Sequence, residues 1–246
     1  MNFDNIRIVL IETTHPGNIG ASARAMKNMG LKRLVLVNPY HYPSAEATAR
    51  ASGADDILAQ AEIIADLDSA LTDCTLVMGT SARRRTLAWP ELDPRECALK
   101  ATAASDATQV ALLFGQERSG LTNEALERCH YLVHIPTNPD YSSLNLAAAV
   151  QVLCYEMRMA SQPTCQTTRQ TLENNDEPSA PAEEMARFYD HLQQVLIEIA
   201  FLDPNNPRHL MRRLRRLFNR ARPDQIEVNI LRGILSAIQR RKQRSQ

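Results

Sequence analysis

Ile6-Arg7-Ile8-Val9-Leu10-Ile11, then Glu12-Thr13-Thr14-His15-Pro16-Gly17-Asn18-Ile19-Gly20, then Ala21-Ser22-Ala23-Arg24-Ala25-Met26-Lys27-Asn28-Met29, and after Gly30 the run Leu34-Val35-Leu36-Val37 decide the fold. Apart from Arg7 the first run is aliphatic and mostly β-branched, which is the pattern of a strand buried on both faces in a parallel sheet. The second is a loop of turn residues, and the third is a helix that Gly30 stops. The fourth reads as another strand, ended by Asn38-Pro39. The unit is strand, loop, helix, strand.

Outward from it the same alternation continues. A helical stretch is expected over 45–52, a weaker strand at Ile63-Ile64 and a short helix over 67–71. A strand at Thr75-Leu76-Val77-Met78-Gly79, a helix over 94–104 and a strand at Val110-Ala111-Leu112-Leu113-Phe114 follow. A short helix over 123–129 and the strand Tyr131-Leu132-Val133-His134-Ile135-Pro136 complete the series. Strands alternating with helices predict an α/β domain with a mainly parallel sheet. The next stretch, Tyr141-Ser142-Ser143-Leu144-Asn145, is a polar cluster able to cap a helix, and it runs into an almost wholly apolar segment reaching Glu156. A buried helix that starts at such a loop is a place to bind something.

After about Ser161 the texture changes. Residues 162–181 are rich in Thr, Gln, Asn, Ser and Pro and read as a flexible linker between a domain over 1–161 and a helical extension over 182–246. Three amphipathic helices are expected there, over 185–201, 207–219 and 223–240, the last two opened by prolines. The chain has no net charge, yet from Arg208 onward it carries twelve Lys or Arg and only two acids, Asp224 and Glu227. This segregation suggests a polyanionic partner for the extension, with a solvated helix surface as the alternative.

With 246 residues, 44% of them hydrophobic and 23% charged, the chain has the composition of an ordinary globular protein. No apolar run approaches the roughly 20 residues of a membrane helix, and the first residues lack the basic and apolar regions of a signal peptide. A cytoplasmic location is expected. The five cysteines are odd in number and widely spaced, which favours reduced structural thiols. His130 and His134 flank a strand, where their spacing does not make a chelating face, so structural roles are expected and no metal site.

The nucleotide signatures are missing: Gly17-Asn18-Ile19-Gly20 is not G-x-G-x-x-G, and Asn38-Pro39 supplies no acid for a ribose. Ser119 lacks the G-x-S-x-G context of a hydrolase nucleophile. What remains are hydrogen-bonding loops with selected side chains: Asn18 and Arg24; Glu117; Ser142, Ser143 and Asn145. Each has a plain reading, Asn18 and Ser143 as helix caps, Glu117 as a surface acid and Arg24 as an exposed helix residue. All three clusters nevertheless lie at strand-to-helix transitions, where parallel sheets bind ligands.

Asn18-Ile19-Gly20-Ala21-Ser22-Ala23-Arg24, Phe114-Gly115-Gln116-Glu117-Arg118-Ser119-Gly120-Leu121 and Ile135-Pro136 with Ser142-Ser143-Leu144-Asn145-Leu146 resemble, in order, the three motifs of the SpoU/TrmH branch of the SPOUT RNA methyltransferases. The resemblance covers about residues 5–160. The loop from Gly79 through Arg83-Arg84-Arg85 to Leu87, and Leu92-Asp93-Pro94-Arg95-Glu96, further resemble the TrmJ subgroup, which methylates the ribose 2′-hydroxyl of nucleotide 32 (cytidine or uridine) in the tRNA anticodon loop. The resemblance implies a deep C-terminal trefoil knot in the α/β domain, bound S-adenosylmethionine and a homodimer. By motif position it implies a cofactor site of Thr80, Ser81, Ala82, Gly115, Ile135, Ser142, Ser143 and Leu144. It makes Arg24, Glu117, Ser143 and Asn145 the catalytic set, with no histidine required. A tRNA partner would be held by Asn18, by Arg83, Arg84 and Arg85, and by Arg212, Arg213, Arg215 and Arg216 of the extension. Alternative readings are a 2′-O-methyltransferase for another tRNA site or ribosomal RNA, and an RNA-binding module without catalysis.

Overall fold

The computed structural model describes residues 2–82, 89–106, 108–162 and 179–243. A seven-stranded, wholly parallel sheet forms its centre. Its strands are β1 (Ile6–Ile11), β2 (Arg33–Val37), β3 (Glu62–Ile64), β4 (Cys74–Thr80), β5 (Glu91–Leu92), β6 (Gln109–Phe114) and β7 (Tyr131–Val133), in the spatial order β3-β2-β1-β6-β4-β7-β5. The helices between them are α1 (Pro16–Met29), α2 (Ala45–Ala51), α3 (Asp55–Ala59), α4 (Leu67–Leu71), α5 (Pro94–Ala104), α6 (Asn123–Glu127) and α7 (Leu146–Ala160). No helix among the described residues is long and apolar enough to cross a membrane.

Alternate strand residues fill two separate cores, as a sheet covered on both faces requires. Ile6, Ile8 and Leu10 with Leu112 and Phe114 pack under α1, α2, α5 and α7. Val9, Ile11, Ala111 and Leu113 face the other way, against α4 and α6. This double burial is why the strands read as continuous aliphatic runs. Burial of each such side chain contributes roughly 1.5–3 kcal/mol.

The first helix begins earlier than expected. It starts at Pro16, with His15 as N-cap, so Asn18 lies in its first turn and not in a preceding loop or at a cap. The glycines that read as turn residues have a packing role: a Cβ on Gly20 would stand 1.9 Å from the carbonyl oxygen of Ala47, so α2 can lie on α1 only if that position is bare.

The C-terminal part is a three-helix module of α8 (Ala182–Glu198), α9 (Leu210–Ala221) and α10 (Gln225–Gln243) around Met185, Phe188, Leu192, Val195 and Val228. Pro207 and Pro223 precede their helices instead of lying in the first turns, and Asp224 with Glu227 forms the reciprocal capping pair of α10. The linker expected over 162–181 lies outside the described residues from 163 to 178. Ala182 packs on the second core. Arg212 pairs with Glu127 at 2.7 Å, and the buried Asn219 donates to the carbonyls of Glu127 at 3.0 Å and Cys129 at 3.4 Å.

Cys74, Cys97, Cys129 and Cys154 are buried free thiols. Desolvation pushes Cys74, Cys129 and Cys154 up to about 12, which leaves them inert. His130 is buried and accepts a hydrogen bond from the Val77 N–H through Nδ1 at 3.0 Å, while burial and then Arg222 bring its pKa down to about 4. It is a neutral core residue.

Candidate active site

Because every strand pairing is parallel, the loops after β1, β4, β6 and β7 emerge on one edge of the sheet. The loop after β6 folds tightly back on itself. The Gly120 N–H donates to the Gln116 carbonyl at 2.8 Å, and Gly120 sits at φ +70°. A Cβ on Gly115 would lie 2.1 Å from the backbone of Gly120, so only glycine fits there. The loop after β4 is held by Ser81 N–H donating to the Val133 carbonyl at 3.0 Å and by the Thr80 hydroxyl donating to Leu113 O at 3.0 Å. His134 Nδ1 lies 3.2 Å from the Ser81 carbonyl, which gives this histidine a loop-bracing role.

Between these loops is a cavity of about 270 Å³, close to the lower end, about 300 Å³, of small-molecule pockets. Thr80, Ser81, Ala82, Gly115, Ile135, Ser142, Ser143 and Leu144 all line it, and so does Glu117. The structure thus brings together all eight residues expected to hold a cofactor. It adds Phe114 and Leu146, which lie at the edges of the quoted motifs, and Val133 and Ala149, which lie outside them. Val133 is the last residue of its strand and Ala149 is one turn beyond Asn145, so strand ends and helical periodicity were the available signals.

Glu117 turns away from solvent toward the start of α1. Its Oε2 accepts from the N–H of Thr14 at 3.1 Å and the Thr14 hydroxyl at 2.8 Å. Its Oε1 accepts from the N–H of His15 at 3.2 Å and Asn18 Nδ2 at 2.9 Å. Burial alone would raise its pKa, but the hydrogen bonds from Asn18 and Thr14 outweigh this and bring it down to about 2. A carboxylate so engaged is an organiser and a poor base. It also places negative charge at the N-terminus of α1, where the helix dipole favours it.

Asn18 passes the connection on. Asn145 Nδ2 donates to Asn18 Oδ1 at 2.9 Å, while Asn145 Oδ1 accepts from the N–H groups of Ala147 and Ala148 and so caps α7. The cap fixes both amide orientations: Asn145 must offer its nitrogen to Asn18, and Asn18 must then offer its own to Glu117. Ser143 is not the cap. The three polar clusters therefore form one chain, Glu117 to Asn18 to Asn145, and one N–H on each asparagine has no partner among the described residues. Arg24 is exposed on α1, two turns beyond Gly17 on the same face, and makes no hydrogen bond or ion pair among the described residues.

The basic residues divide. Arg83, Arg84 and Arg85 lie outside the described residues. On α9, Arg212 is held by Glu127 and Arg215 stacks over Tyr189 at 4.6 Å from the ring centroid, whereas Arg213 is exposed and Arg216 half-buried.

Residues 5–155 match the SpoU rRNA methylase family. The chain belongs to that family. Within it, residues 183–246 match a second model, the C-terminal domain of the tRNA methyltransferase TrmJ. An Escherichia coli relative called tRNA (cytidine/uridine-2′-O-)-methyltransferase TrmJ is 55% identical over 235 residues, which is 96% of this chain and 95% of that protein. The crystal structure of TrmJ from Z. mobilis superposes with a TM-score of 0.83 at 33% identity, covering 95% of this chain and 98% of that one. An rRNA methyltransferase from Sinorhizobium meliloti, solved with AdoMet bound, is 25% identical with a TM-score of 0.52, over 64% of this chain and 57% of that one. This SpoU-family chain thus shares its sheet with methyltransferases and its helical extension with the TrmJ type.

Proposed function

We propose that the protein is a tRNA 2′-O-methyltransferase that uses S-adenosylmethionine and modifies cytidine or uridine at nucleotide 32 of the anticodon loop. The observation that carries this reading is the hydrogen-bonded chain Glu117–Asn18–Asn145 running beside the loop cavity. The 55% identity to a TrmJ-named relative supports the tRNA ribose substrate. The loop around Gly79 and the Leu92–Glu96 segment, which resemble the TrmJ subgroup, support nucleotide 32.

The cavity suits S-adenosylmethionine. Phe114, Ile135, Leu144 and Leu146 give it apolar walls, and Gly115 lets a ligand approach the main chain closely. When bound, S-adenosylmethionine supplies an electrophilic sulfonium methyl. The protein must then bring a ribose 2′-oxygen into line and favour its negative charge. Arg24 suits the second task, since a guanidinium stays protonated and stabilises developing alkoxide as a cation, not as a base. Asn145 and Asn18 orient the sugar with their spare N–H groups, and Glu117 keeps both amides aligned. Ser143 lines the cofactor side. The same proposal takes in the trefoil knot, a cytoplasmic homodimer, and the division into a catalytic domain over 1–161, a linker over 162–181 and an RNA-binding extension over 182–246.

Nucleoside mass spectrometry of tRNA from cells with and without the gene tests the target. Loss of 2′-O-methylation at nucleotide 32 is expected; an unchanged profile there, with methyl missing from ribosomal RNA or another tRNA site, would reassign the substrate. Arg24→Ala should lower single-turnover methyl transfer by at least about 100-fold with cofactor affinity within about twofold of wild type. A near-normal rate would remove Arg24 from the chemistry.

A further inference from the structure

A second, open groove of about 440 Å³ lies next to the asparagine pair and shares no lining residue with the loop cavity. Asn18 and Asn145 line it together with Gly17 and Ala21 of α1 and Glu46 and Arg50 of α2. The hydrogen-bonded chain therefore connects two cavities: Glu117 faces the first, and the two asparagines face the second. Arg24 stands one turn past Ala21 on the same face of α1, so the groove runs along the face that carries it.

The placement of α2 is what creates the groove. Gly20 lets the α2 backbone close on α1, and at Gly17 a Cβ would meet Glu46 Oε1 at 2.7 Å and the Cγ of Arg50 at 3.5 Å. The two glycines thus bring the stem of Arg50 onto the first turn of α1, beside Asn18. Arg50 is exposed and has no hydrogen bond or ion pair among the described residues. Glu46 is placed four residues before it, the spacing and order that favour an intrahelical pair. Its carboxylate lies over Gly17 instead, so the guanidinium is left for a ligand.

We propose that Arg50 is a substrate-binding residue that holds a backbone phosphate of the RNA strand next to the ribose being methylated. The inference rests on the RNA methyltransferase reading above. A groove lined by a cation from α2 and by the two asparagine amides, with a second cation at Arg24 one turn past its Ala21 wall, matches a ribose–phosphate backbone, whose contacts set affinity and register without selecting a base. Arg50 and Arg24 then divide the work: the first positions the strand and the second acts at the reacting oxygen.

The test compares full-length wild type, Arg50→Gln and Arg50→Lys, measuring steady-state methylation of tRNA, S-adenosylmethionine binding, and tRNA affinity across a salt series. For Arg50→Gln the expected result is a KM for tRNA raised about tenfold, kcat within about twofold and unchanged cofactor affinity. The slope of log K against log salt should fall in magnitude by about 0.7, the value for one lost phosphate contact on a single strand. Arg50→Lys should keep the slope. An unchanged KM and slope in Arg50→Gln, with wild type methylating tRNA normally, would overturn the assignment of Arg50 alone. If wild type transfers methyl to no RNA, the functional reading falls and this inference with it.

Discussion

Glu117 has two oxygens, and both are occupied by donors from Thr14 and His15 just before α1 and from Asn18 in its first turn. Its pKa is lowered from the ordinary 4.5 to about 2, so it stays ionised at every pH where the protein works. The folded-state value lies below the unfolded one. The carboxylate's contribution to stability is therefore fully present above about pH 5 and is lost as pH falls from about 4.5 toward 2. Glu117→Gln is expected to lower unfolding stability at pH 7 by ~1 kcal/mol, allowing for the group's partial exposure. The gap between the two proteins should close below pH 4, which urea titrations across pH would measure. A constant gap would mean that the lost stability comes from packing and not from charge. Methylation activity, by contrast, should show no titration belonging to Glu117 between pH 5 and 8.

At the scale of elements, α7 starts at Leu146 because Asn145 caps it, and the same side chain ties the helix to α1 through Asn18. Capping and positioning can be separated by substitution. Asn145→Ala loses the cap and should cost about 1 kcal/mol. Asn145→Ser restores a capping oxygen but offers no amide to Asn18, so melting experiments should show near wild-type stability while methyl transfer stays as low as in Asn145→Ala. Recovery of activity along with stability would reduce Asn145 to a cap. The start of α1 obeys a similar logic: proline suits the first helical turn, where its missing N–H costs nothing, so Pro16-Gly17 opens a helix even though the dipeptide reads as a turn.

Across the whole molecule, the helical module rests on the sheet domain through the packing of Ala182 on the second core and through a set of polar contacts. Asn219 is the centre of this joint: it donates to the main-chain carbonyls of Glu127, the last residue of α6, and Cys129 just after it, and accepts from the Tyr189 hydroxyl at 2.6 Å. Asn219→Ala leaves the Tyr189 hydroxyl with only the Arg215 carbonyl at 3.3 Å and removes the side-chain donor to those carbonyls, which should loosen the joint by about 2 kcal/mol. Hydrogen exchange is expected to speed up in α8 and α9 while the amides of β1 and β6 keep their protection; uniform acceleration would mean that both parts unfold as one unit. The joint also reassigns the arginines of α9. Arg212 braces it against Glu127 and Arg215 covers Tyr189, whereas Arg213 and Arg220 are exposed.

The parallel sheet, its helices and the three polar clusters were legible in the sequence because they depend on local pattern. Strands buried on both faces are mostly aliphatic, and loops whose backbones close on one another need small residues such as Gly115. The cofactor residues came from motif resemblance, not from periodicity. Only the tertiary structure decided which side chains meet. Glu117 and Asn18 are 99 positions apart, and Asn145 and Asn18 are 127 apart. Asn18 read as a cap or a loop residue, and four arginines in one helix looked equivalent. Hydrophobic periodicity is written residue by residue along the chain, whereas a hydrogen bond between loops depends on where parallel strands deliver them. The partners of Asn18, Glu117 and Arg212 became readable only when the strand ends were side by side.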